Sequence, residues 1–447
     1  MYKFLILGLI IVFLLCKAAH MRINNKDAKH LWVSFFIICI PFAFEKALEV
    51  TKFRLPTGAL GGIFKITIPL LLCFVTIPII KWNKFKIPFK STSWISVIYT
   101  LIFISLLNPY NHSINASLYY CLFFSSHILL FYIFLNILTP SQLARGFYDG
   151  LMVLCFLQLI LAICFPVLGL KVVTTLFHDN AGEWATRLSS NRVGAVGVFN
   201  HPGNLSLFII IASCFFLSCY FGQFKAKLSL YLLAINTIVI ILTYSRTSYL
   251  TYIIILFALY YIQKNARKNI LSISVLFKFI LPACIALTWL IFFSPLSEQF
   301  LKTDAGDQMN NRMVHYLLAY NIFESSPIFG VGINAHLAYL SANASLAKTI
   351  TFVDFFFLNP IHNIHLIILA ETGIIGFLLW IYFLLKNLYN SKKQIAIGKN
   401  RIFSSTFIGA ILTYSLYGMT GWAPFSAALL PLFLFIAFFS IKYSISK

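Results

Sequence analysis

The stretch "NPIHNIHLIILAETGIIGFLLWIYFLL", residues 359–385, opens with two histidines and then stays apolar for a membrane's thickness. His362 and His365 stand three residues apart, so a helix brings them to roughly one face. The partial positive charge at a helix N-terminus disfavours protonation, leaving an imidazole neutral and able to accept a proton. His362 is therefore a candidate general base, with Asn363 beside it to orient the ring or an acceptor group. The bland alternative is a histidine that merely marks the water boundary, and it fits His365, one turn further in, better than His362. Glu371 lies more than two turns deeper, a buried carboxylate that needs a partner or a proton. Gly373 and Gly376 predict a small-residue face for close helix packing.

Arginines are the second group of interest. In "RLSSNRVGAVGVFNHPGNLSLF", Arg187 and Arg192 precede Gly194, Gly197 and His201-Pro202. Glycines let backbone amides approach a ligand closely, which suits a phosphate neighbour; contact with lipid headgroups is the other reading. "ILTYSRTSYLTYII" puts Arg246 in a connection of barely three residues between apolar helices. An arginine at that depth is paired, faces a watery cavity or snorkels to the headgroups. Arg312 begins a helical stretch, "NNRMVHYLLAYNIFESSPIFG", whose Met313, Leu317 and Tyr320 recur at helical spacing and which Pro327 and Gly330 end. Such a helix lies along a membrane surface or packs within its loop. Asp304, Asp307, Glu324 and Asp354 form no metal-ligand pattern and read as solvated loop carboxylates.

The elements that must hold these groups are membrane helices. Of the 447 residues 60% are hydrophobic and 10% charged, where a soluble chain has roughly a quarter charged. Apolar runs recur near 2–16, 31–44, 63–80, 94–107, 117–138, 148–168, 203–221, 228–244, 248–263, 274–294, 364–386, 402–420 and 425–441. They are continuous, not the short alternating segments of barrel strands, so they predict helices. The expectation is an all-α polytopic protein with 12–13 transmembrane helices. No cleavage pattern follows the first run, which therefore reads as a span and not a removable signal. The net charge of +22 sorts by loop and gives no case for a nucleic-acid partner: loops 17–30, 81–90, 139–147, 222–227, 264–278 and 386–401 with the tail from 442 carry 22 of the 34 lysines and arginines. That positive-inside bias puts 169–202 and 295–363 outside, as two elaborated loops on a single membrane domain. The nine cysteines all fall in apolar runs, with neither metal spacing nor a loop position for a disulfide.

At His362-Asn363, nine residues, then Gly373-Ile-Ile-Gly376, the sequence resembles the bacterial O-antigen ligases and the related O-antigen polymerases. "SSPIFGVG" is similar to that family's Ser-Pro-x-x-Gly-x-Gly turn, and "TYSRTSYL" to its Ser-Arg motif. Arg192, ten residues and Gly203 is similar to an Arg-x10-Gly element of the polymerases; the large loop lacks a second one, because Phe323 stands where Arg312 would require glycine. The resemblance covers roughly residues 185–430. It implies a GT-C-like glycosyltransferase of the bacterial inner membrane, working at the periplasmic face without cofactor, metal or nucleotide sugar. The implied donor is an undecaprenyl-diphosphate-linked oligosaccharide. The acceptor is another lipid-linked repeat unit in a polymerase, or lipid A-core in a ligase, and the 192–203 spacing favours a polymerase. Flippase and chain-length regulator proteins are implied partners, besides membrane lipid.

The residues fit that chemistry on their own terms. His362 would take the acceptor proton, and Arg192, Arg246 and Arg312 would hold the leaving diphosphate, with Asn363, His365, Arg187 and Gly203 in support. A flippase or transporter is the chief rival; it predicts repeated halves and mid-span ionisable residues, whereas the polar chemistry here gathers at one face. A purely structural membrane protein would not need arginines in tight outer connections.

Overall fold

The computed structural model describes residues 8, 12, 16–21, 27–41, 72, 93–177, 194–199, 201–266, 305–343, 360–398, 400–426 and 429–445. The expected span 274–294 lies outside the described residues, as do 2–16 and 63–80 apart from single positions. The described elements are helices: α1 His30–Cys39, α2 Ser93–Leu107, α3 Ile114–Ile137, α4 Pro140–Phe177, α5 Pro202–Gly222, α6 Ala226–Leu242 and α7 Arg246–Ala266. After them come α8 Ala305–Ser325, α9 His336–Ala342, α10 Ile364–Ala396, α11 Arg401–Gly418, a 3-10 turn at Ala423–Phe425 and α12 Leu430–Ile445. α3, α4, α5 and α10 are each long and apolar enough to cross a bilayer. The chain is an all-helical, polytopic membrane protein.

α5 is the centre of the bundle, with 89% of its apolar window buried. Peripheral helices bury one side and turn the other outward. Leu250, Ile254, Phe257 and Tyr261 recur every three or four residues along the exposed face of α7, as a lipid-facing stripe requires. Without a hydrophobic drive between helices in lipid, close association comes from small residues, packing and hydrogen bonds. Gly146 and Gly150 of α4 supply it against α1, where a Cβ at Gly150 would lie 2.8 Å from Ile37, and Ser34 donates to the Gly146 carbonyl at 3.0 Å. Rings fill the remaining volume: Phe147 and Phe435 stack at 4.9 Å, and Phe131 meets Phe435 edge-on at 5.4 Å.

Two polar ends are separated by the length of α5, about 32 Å. At its C-terminal end Lys225 meets Asp149 at 2.8 Å, with Lys17 at 3.6 Å and His30 at 3.7 Å from the same carboxylate. These residues belong to, or flank, three of the basic loops. α11 runs antiparallel to α5, with Ile402 against Gly222 and Tyr417 against Gly203. The far end of α11 therefore joins His201 at the opposite pole.

α10 corrects the expected small-residue face. Gly373 adopts φ 62° and ψ −166°, which breaks the helix into two limbs. The Trp380 indole reaches the His365 ring at 3.4 Å, although a straight helix would separate these residues by about 22 Å. Gly376 leaves room for the Thr372 hydroxyl of its own helix, not for a neighbouring helix. The limb after Gly373 runs about 34 Å and is long enough to span alone.

Candidate functional site

A broken helix leaves carbonyls and amides without partners, and here a turn supplies them. Val331 and Gly332 donate to the carbonyls of Ala370 and Glu371 at 3.0 and 2.9 Å, while Ile374 donates to Pro327 at 2.9 Å. Gly330 and Gly332 hold φ values of 68° and 104°, which an L side chain resists. A Cβ on Gly330 would also collide with the Glu371 backbone. The "SSPIFGVG" and Gly-x-x-Gly motifs are thus two halves of one hydrogen-bonded clasp. The α2–α3 connection grips its other side: Asn108 donates to the Gly330 carbonyl at 2.6 Å, and Ser117 to that of Ile333 at 2.7 Å.

The clasp delivers His336, at the start of α9, to Glu371. Its Nδ1 lies 2.6 Å from the carboxylate, with the side chains 0% and 9% exposed. With the carboxylate as acceptor, the Nδ1–H is the donor. Nε2 is buried and has no hydrogen-bond partner among the described residues.

His362 sits just before α10, and Asn363 caps that helix by accepting from His365 and Leu366 at 2.9 and 3.2 Å. Asn363 thereby fixes where the helix begins and His362 with it. The His362 Nδ1 lies 3.1 Å from the Pro360 carbonyl, which can only accept, so Nε2 keeps its lone pair. The His315 ring of α8 packs on His362 at 4.6 Å. Burial, then the nearby His362 and His336, push the His315 imidazole down to about 3. His201 caps α5 by accepting from Gly203 at 2.9 Å and stands within electrostatic reach of His362. Gly203 is required there, since a Cβ would lie 2.5 Å from the Tyr417 hydroxyl. His365 is turned away: Nε2 donates to the Ser415 carbonyl at 3.2 Å and Nδ1 accepts from Trp380.

Arg246 opens α7, half-buried, after a turn in which Tyr244 has φ 52°. That turn is tied to the α5 N-terminus, with Ala195 donating to Leu242 at 2.9 Å and Ser206 to Thr243 at 3.1 Å. Arg246 and His201 consequently share one end of the bundle. Arg312 stands one turn before His315 in α8, whereas Arg187 and Arg192 lie outside the described residues. The 194–199 segment is buried; Gly197, at φ 56°, packs on Gln158, whose Oε1 accepts from Val198 at 3.0 Å. Gly197 therefore serves packing, not the open phosphate cradle that the glycine spacing predicts. Met313, Leu317 and Tyr320 face outward, while α8 buries His315, Leu318 and Ile322. Sequence reasoning assigned no role to His201, His315 or His336; the signals were His315 three residues after Arg312 and His336 four after the Gly-x-Gly.

The decisive residues lie in a stretch that a family comparison covers. Residues 230–381 match the O-antigen ligase family model. This supports the O-antigen ligase and polymerase family, and the matched segment holds Arg246, Arg312, His315, His336, His362 and Glu371. The α5 N-terminus with His201 and Gly203 precedes it. No curated protein matches the chain.

Proposed function

We propose that the chain is a surface polysaccharide polymerase for O-antigen or capsule, acting at the periplasmic face of the bacterial inner membrane. Its donor is a glycan on undecaprenyl diphosphate and its acceptor a hydroxyl of another lipid-linked repeat unit. The observation that carries this reading is His362, whose Nδ1 bond to Pro360 leaves Nε2 as the basic nitrogen, inside the family-matched segment. In the step, the acceptor oxygen bonds to the anomeric carbon as the bond from that carbon to the diphosphate oxygen breaks. The hydroxyl proton passes to His362 Nε2, and the electron pair leaves with the diphosphate. Arg246, with Arg192 and Arg312, neutralises the charge that develops there. No metal ion and no nucleotide sugar enters this scheme.

A ligase remains the second reading, because the matching family model carries that description; its acceptor would be lipid A-core. A deletion strain separates the two. Core carrying a single repeat unit indicates a polymerase, and core carrying none indicates a ligase. Complementation of that strain tests the base: His362→Ala should fail to restore long glycan while the protein accumulates, with His365→Ala much milder. General-base catalysis is typically worth about 10² to 10⁴ in rate. Full-length glycan from His362→Ala would remove the base from this assignment.

A further inference from the structure

His336 and Glu371 have no part in the scheme above, yet the clasp exists to join them. Both are buried, and they meet at 2.6 Å across 35 residues of sequence. His365 satisfies both ring nitrogens through Ser415 and Trp380, and His127, packed inside the bundle, bonds through one; what sets His336 apart is that its one partner is a carboxyl group. His336 satisfies one, and its Nε2 stays buried and unpaired among the described residues. We propose that Glu371 and His336 are a positioning pair behind the base: the carboxylate fixes His336, His336 backs His315, and the charge of Glu371 offsets the positive charge that His362 gains with the acceptor proton. This rests on the transfer reading above.

Three observations carry the pair to that role. His315 lies between it and the base, packed on His362 at 4.6 Å, and α8 and α9 meet beside these histidines through Leu318 and Leu337, in one apolar cluster with Ile367 and Ala370 of α10. Among the described residues, the groups around His362 and its neighbours include His201 before α5, His315 of α8, His336 of α9 and the Tyr417 hydroxyl of α11, with Tyr120 of α3 near Glu371. Glu371 is the acidic side chain beside this set of rings and is itself buried, where a charge acts more strongly than in water. A partner held behind a metal-ligating histidine is commonly worth roughly 10- to 100-fold in affinity or activity, and the same scale is taken for this pair.

The test uses purified full-length protein in lipid with the parent strain's lipid-linked repeat unit, and reads kcat against pH. Glu371→Gln keeps an acceptor for His336 but removes the charge. It should lose roughly 10- to 100-fold in kcat, with the acid limb of the profile moved to lower pH because protonated His362 has lost its counter-charge. His336→Gln, which keeps the carboxylate, should lower kcat and move the limb less. An unmoved acid limb in Glu371→Gln would reduce the pair to packing. Should that variant not accumulate, Glu371→Asp withdraws the charge by one methylene, and the same shift, smaller, is required of it. Wild-type protein without transfer activity, or His362→Ala as active as wild type, would instead overturn the function proposed above and leave the buried pair unexplained.

Discussion

His315 is buried as a neutral ring, pushed down to about 3 from the ordinary 6.5. In the unfolded chain it takes up a proton as pH falls through 6.5, while in the fold it does so only near the lowered value. The unfolded state therefore binds more protons over that window, and the fold loses stability as pH falls from 6.5 toward 3. The thermal midpoint in detergent should drop across this window. His315→Gln, neutral throughout, should flatten part of the slope; an unchanged slope would mean that the ring is not buried neutral. Arg246 makes a different demand. If it grips two diphosphate oxygens at once, a lysine cannot replace it, since an ammonium lacks the planar fork. Arg246→Lys should accumulate normally and lose most of its transfer activity, and near-wild-type activity in Arg246→Ala would exclude it from the mechanism.

At the scale of the element, the clasp is the critical unit. Gly373 sits at φ 62° and ψ −166°, an essentially glycine-only conformation where a side chain costs roughly 1–3 kcal/mol in backbone strain alone, and a Cβ there would also strike the Ile328 carbonyl. Gly373→Ala should lower the melting temperature and abolish transfer together. Gly398, at φ 76° but with no neighbour closer than 3.4 Å, provides the comparison: Gly398→Ala should show the strain without loss of transfer per folded molecule. If the two variants behave alike, the clasp does not position the site. The motif spacings drew attention to Gly373 and to the "SSPIFGVG" turn, but not to their contact. Apolar residues continue on both sides of Gly373, so periodicity reads one straight span where two limbs exist. The same blindness affects α8. Met313, Leu317 and Tyr320 are periodic, and so are the Leu318 and Ile322 that the fold buries. Nothing in a helix that is apolar on two faces says which one turns inward. His336 was illegible for a topological reason, since only the turn between α8 and α9 carries it to Glu371. Helix bounds, by contrast, were legible to within a few residues along most of the described chain, because a bilayer demands long apolar runs.

For the molecule as a whole, the separation of two polar ends gives the charge sorting a physical form. Lys17, Asp149 and Lys225 meet at one pole, while His201, His315 and His362 gather at the other. With the basic pole inside, Asn343 at the end of α9 should face the outer compartment. A cysteine at Asn343 should label in intact cells with a reagent that crosses the outer but not the inner membrane; labelling only after inner-membrane lysis would reverse the orientation. The clasp also sets an order of events in time. Asn108 donates to Gly330, which lies 222 residues later in the chain. At about 5–20 residues per second, synthesis takes on the order of 10 to 45 s to cover that distance. Throughout that interval the Asn108 amide nitrogen lacks its Gly330 acceptor, while its oxygen can already accept from Tyr110. The last segment the clasp needs, the limb carrying His362 and Glu371, leaves the ribosome later still. The helices α1 to α7 are thus made well before the clasp can close.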